Sequence, residues 1–169
     1  MPPAHEPGPI PLNLDDAGSP IDFGPVAPEV ERLLAAGVVA YRRDRPAAER
    51  LFQEAQRLFP KELPVYFCLY KIHAYQGNLQ AALTAVESGL AEAARQAGWI
   101  ADPERWPAPV TDLAGPGRFA LYTLKALAFV RLKRGERAAA RAALRSLARL
   151  DPKASVGWNV IAALADGSN

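Results

Sequence analysis

The chain has 169 residues, half of them hydrophobic, with 20 Lys and Arg against 18 Asp and Glu. That length supports one domain with a real core, and the dominance of Ala and Leu predicts an all-α fold. Cys68 is the only cysteine, so an intramolecular disulfide is excluded and a cysteine-based metal site is disfavoured.

No apolar run approaches the roughly 20 residues of a membrane-spanning helix. The opening "MPPAHEPGPIPLNLDD" has neither a basic start nor an apolar centre, so it does not read as a signal peptide, and a reducing cytoplasm is the expected compartment. Residues 1–27 hold seven prolines and three glycines, which predicts an extended acidic arm without helix. Its Ile10, Leu12, Leu14, Ile21 and Phe23 exceed what a bare linker needs, so part of the arm is expected to lie along the domain.

Helical periodicity then runs through 28–165. Helix one is "PEVERLLAAGVVAYRR", with Pro28 suited to a first turn. Helix two is "RPAAERLFQEAQRLF", closed by Pro60. Helix three, "LPVYFCLYKIHAYQG", ends at Gly77 and Asn78, and helix four, "LQAALTAVESGLAEAARQAG", ends at Gly98. Residues 99–117 are rich in Pro and Gly and have no period, so they read as an inserted loop. Helix five is "RFALYTLKALAFVRLKRG", helix six "RAAARAALRSLARLD" and helix seven "KASVGWNVIAALA"; residues 166–169 form a polar tail. The apolar positions of helices five and six recur at i, i+3, i+4, which gives each one buried face. Gly135 between them suits a tight reversal, so they read as an antiparallel pair.

Helices one to six therefore fall into three pairs, with turns near Asp44, Gly77 and Gly135. The first two turns are 33 residues apart and the third follows after 58, one repeat plus the loop. A period near 34 marks a helical solenoid.

These positions resemble the tetratricopeptide repeat (TPR) family. The third pair has Ala128, Gly135, Ala140, Leu144 and Pro152 where the family has its small, turn, small, large and closing residues, with Leu147 where a smaller one is usual. The second pair has Gly77, Ala82, Val86 and Gly89 but lacks the closing Pro; the first has Ala48, Phe52, Ala55 and Pro60, with Asp44 and Pro46 at its turn. The resemblance implies a short TPR-like stack over 28–165. Its first helices line a concave side, and helix seven caps the end through Trp158, Val160 and Ile161. The runs "PVYFCLYKIHAYQGNLQAAL" and "ALYTLKALAFVRLKRGE" also resemble small repeat proteins encoded among nitrogen-fixation genes, the nitrogenase-associated factor T family. That second resemblance implies an accessory protein binding the molybdenum–iron protein of nitrogenase.

Counting back from each turn places Phe67, Lys71 and Tyr75, then Tyr122, Lys125, Phe129 and Lys133, on the concave side, with Arg42 as a candidate from the first pair. Rings interleaved with lysines suit a protein segment carrying carboxylates. The alternative is that the rings are core and the lysines merely solvated. Trp99 and Trp106 in the inserted loop are either interface anchors or packed into a neighbouring groove.

Charge is uneven. Residues 1–31 carry six acids and no Lys or Arg, whereas 118–153 carry ten basic residues against Glu136 and Asp151. Arg134, Arg137, Arg141, Arg145 and Arg149 make a stripe that reads as an acid-binding face or a solvated one. No nucleic-acid motif accompanies it. His73 and Cys68 are five residues apart and share no helix face well, and no HExxH or phosphate loop occurs. The expected function is a non-catalytic protein-binding module, an assembly or chaperone-like factor with no cofactor or metal. A secretion-type chaperone holding an extended peptide, or a small enzyme using His73, are the other readings.

Overall fold

A computed structural model describes residues 25–167. The expected arm, apart from residues 25–27, and the end of the polar tail lie outside the described residues. Those described form seven α-helices and one three-residue 3-10 turn at Pro103–Arg105, with no strand among them. The helices are α1 (Pro28–Tyr41), α2 (Arg45–Leu58), α3 (Leu63–Tyr75), α4 (Leu79–Ala97), α5 (Gly115–Lys133), α6 (Arg137–Leu150) and α7 (Trp158–Gly167). None is long and apolar enough to cross a membrane.

Local chemistry sets the ends. Asp44 accepts the Ala47 N–H at 3.0 Å and opens α2, and Asn78 accepts that of Ala81 at 3.2 Å and opens α4. Gly77 and Gly135 take φ of 74° and 79°, the left-handed region in which a side chain is strained, and so let α3 and α5 reverse into their partners.

Consecutive helices pack against one another along the whole chain. Beyond that, α1 touches α3, α3 touches α5 and α5 touches α7, whereas α2, α4 and α6 do not touch one another. The odd helices are therefore the closer-set layer. At its centre α3 contacts four other helices, so ten of its thirteen residues are buried and it shows no polar face. Small residues permit close approach: Ala48, Ala82, Ala128 and Ala140 have no exposure, and a Cβ on Gly89 would stand 2.8 Å from the Cβ of Tyr66.

Two boundaries differ from the sequence expectation. Helix α5 begins three residues early, at Gly115, with Pro116 in its first turn. Helix α7 begins at Trp158 rather than Lys153, because Ala154 and Gly157 adopt φ of 53° and 76° and break any earlier helix. The capping expectation changes with it. Val160 is 61 % exposed, Trp158 is half-buried with its indole N–H donated to the Asp151 carbonyl at 2.8 Å, and only Ala165 of α7 is buried.

Candidate functional site

The odd layer carries a groove of about 360 Å³ between α3, α5 and α7. Residues four apart stack along one helix face, so Phe67, Lys71 and Tyr75 line one wall, and Tyr122, Lys125 and Phe129 line the other. The structure thus brings together six of the residues singled out from sequence. The groove is further lined by Tyr70, Ala74, Ala126, Val130 and Ile161, which sequence reasoning did not include. Counting at four-residue steps misses neighbours that lie one helical turn off the stripe, and Ile161 arrives from α7.

The cations lie against rings. Lys71 Nζ is 5.4 Å from the centre of the Phe67 ring and 5.7 Å from that of Tyr75. Lys125 Nζ and the Arg118 guanidinium flank Tyr122 at 5.2 and 5.0 Å. Lys133 sits at the exposed end, 5.5 Å over Phe129. Such contacts hold ammonium groups on the rings without neutralising them. Among the described residues none that lines the groove is Asp or Glu.

Lys125 is the most constrained of these cations. Its ammonium donates to the Val156 carbonyl at 2.7 Å, in the turn before α7. Burial, then the charges of Lys71 and Arg118, hold its pKa below the ordinary lysine value. The site is thus electropositive, and a carboxylate placed there would relieve that repulsion.

That turn is itself ordered by Asp151. Its buried carboxylate accepts the Ser155 N–H at 3.0 Å, the Ser155 hydroxyl at 2.7 Å and the Val156 N–H at 3.0 Å. Arg118 reaches the Ser155 hydroxyl at 2.7 Å. Sequence reasoning assigned no role to Arg118 or Asp151, because their partners lie across the fold or inside a turn read as helix.

Other candidates fall elsewhere. Arg42 follows the last turn of α1 and does not line the groove. Trp106, weighed as an interface anchor, is 2 % exposed, so its ring has almost no surface to offer a partner. Its indole N–H donates to the Ile100 carbonyl at 2.7 Å and it packs on Trp99 at 5.1 Å. Trp99 is half-buried in the same cluster. Arg149 clamps this loop to α6 by donating to the carbonyls of Trp106, Pro103 and Glu104 at 2.8, 2.9 and 3.0 Å. Arg134 is also engaged, pairing with Glu136 at 2.7 Å, and Arg137, Arg141 and Arg145 are exposed.

His73 is 6 % exposed and does not line the groove. Cys68 is fully buried, and burial pushes its thiol up to about 12, far from a nucleophilic thiolate. Among the described residues no three His, Cys, Asp or Glu side chains come together as a metal site. Comparison with known protein families, with curated proteins and with solved structures gives no match.

Proposed function

We propose that the protein is a non-catalytic, tetratricopeptide-like binding module that holds an acidic and apolar segment of another protein in the α3–α5–α7 groove. One observation carries this reading: among the described residues the groove joins five aromatic rings to two lysines, with no carboxylate. Rings supply contact area at low entropic cost, and lysines set among them select a segment that brings acids beside apolar groups. The repeat reading is supported by the turn spacing and by the closer contact of the odd helices, since a curved stack of helix pairs offers its first helices as the binding surface. The module acts in the cytoplasm as an accessory, assembly or chaperone-like factor. The sequence resemblance to nitrogen-fixation repeat proteins makes the molybdenum–iron protein of nitrogenase the first partner to try.

The test is a pull-down with that partner and with whatever co-purifies with the tagged protein, followed by association and dissociation kinetics. Reversing Lys71 and Lys133 to Glu should slow association at least about ten-fold and steepen with falling salt, because charge acts mainly on encounter. Reversing Arg141 and Arg145 on α6 should change it by less than about three-fold, as expected of solvated charges away from the contact. If the α6 pair matters and the groove pair does not, the groove is not the interface.

A further inference from the structure

We propose that the groove is occupied, until a partner displaces it, by the chain's own N-terminal arm, with Ile10, Leu12 and Leu14 against the rings and Asp15 and Asp16 against the lysines. The inference rests on the groove being the binding surface, and it names the first segment to bind there.

Charge complementarity is the first argument. Residues 1–24 carry Glu6, Asp15, Asp16 and Asp22 and no Lys or Arg. The groove presents Lys71 and Lys125, with Lys133 at one end and Arg118 beside Tyr122, and no acid among the described residues that line it. The arm is thus the most acidic stretch of the chain that is also free of basic residues, and it is covalently attached to the protein.

The apolar pattern agrees. In "IPLNLDD", Ile10, Leu12 and Leu14 recur every second residue, so a non-helical segment puts all three on one side. At about 3.3 Å per residue they span roughly 13 Å. Phe67 to Tyr75 on α3 is eight residues at 1.5 Å, about 12 Å of ring-lined wall. The two acids directly after Leu14 then fall at the end of the apolar contact, where the lysines can meet them.

Reach is sufficient. Tyr41, at the last turn of α1, stacks 6.3 Å from Tyr75 of the groove. The start of α1 lies thirteen residues back, about 20 Å along the helix. The ten residues 15–24 can cover up to about 33 Å, so 10–14 can lie in the groove without moving α1.

Full-length protein is used throughout. A fluorescein-labelled peptide of residues 8–24 is titrated against the wild type and against the full chain carrying Ile10→Ser, Leu12→Ser and Leu14→Ser. A tethered segment acts at an effective concentration in the millimolar range. The wild type should therefore bind the peptide at least about ten-fold more weakly than the triple-serine chain, and adding Lys71→Glu and Lys133→Glu should abolish binding to both. In the wild type, a carbodiimide should join Asp15 or Asp16 to Lys71, Lys125 or Lys133 within one monomer. Equal binding to the two chains, or coupling only at Lys61 or Lys153, overturns the proposal. A second labelled peptide, alternating Leu and Asp and unrelated in order, separates the two readings. If it binds both chains equally and is lost on groove charge reversal, the groove stands and the arm falls. If neither peptide binds any chain, both fall.

Discussion

Burial acts in opposite senses on Lys125 and Cys68. It makes the protonated lysine less favourable and the deprotonated thiol less favourable, since in each case the charged form is the one deprived of water. The thiol yields a pH prediction with a definite sign. Its folded pKa of about 12 stands above the unfolded value, so the folded state holds the proton longer. The associated stability is complete below the unfolded thiol value of about 8.5 and is lost as pH rises toward 12. Between pH 7.5 and 10 this term should cost about 2 kcal/mol. Burial also raises the Tyr70 phenol and lowers the Lys125 ammonium, but both groups are common to wild type and Cys68→Ala. Urea midpoints of the two chains should therefore converge, relative to their difference at pH 7.5, as pH approaches 10. Parallel curves would mean that Cys68 is reached by water. At this scale the sequence was partly legible: a lone cysteine in the apolar run "YFCLYKI" reads as core, but the size of its shift depends on α3 being enclosed by four other helices.

At the scale of elements, helix ends made by glycine were readable and the end made by a left-handed alanine was not. Gly77, Gly98 and Gly135 close or turn their helices at φ of 74°, 74° and 79°, whereas Asp44 and Asn78, read only as turn residues, prove to be side-chain caps, and the left-handed Ala154 gives no signal in composition. The consequence is that α7 hangs on Asp151, whose carboxylate and carbonyl together accept five hydrogen bonds from the turn and from Trp158. Asp151→Ala would strand the buried Val156 N–H and free the part-buried Ser155 N–H, and should cost about 1–3 kcal/mol. Hydrogen exchange locates the effect: amides of α7 should lose protection well before those of α3. Because Val156 also accepts from Lys125, the same substitution should loosen one wall of the groove. Equal loss of protection in α3 and α7 would mean that α7 is integral to the core rather than docked on it.

Across the whole molecule, the core runs unbroken from Val30 to Ala165 and is built from contacts between successive helices. Deleting residues 1–20 should lower Tm by no more than a few degrees. A tethered segment held at about ten times its dissociation constant adds only about 1.4 kcal/mol, and each kcal/mol is worth about 2–4 °C at this chain size. Differential scanning calorimetry checks this; a collapse of the transition would make the arm part of the core.

The sequence alone determined that the described chain is helical, that its helices come in pairs, and where most of them turn. Those features follow from local causes: apolar spacing, side-chain caps, and glycine at a reversal. It also placed Phe67, Lys71, Tyr75, Tyr122, Lys125 and Phe129 on corresponding faces of two helices. Only the tertiary structure decided that those faces meet across one groove, that Ile161 of α7 contributes to it, and that Trp106 is buried. Each of these depends on which distant side chain covers which. Arg149 closing the loop onto α6 and Lys125 reaching the carbonyl of Val156 join residues 43 and 31 apart in sequence, and no local pattern encodes such a contact.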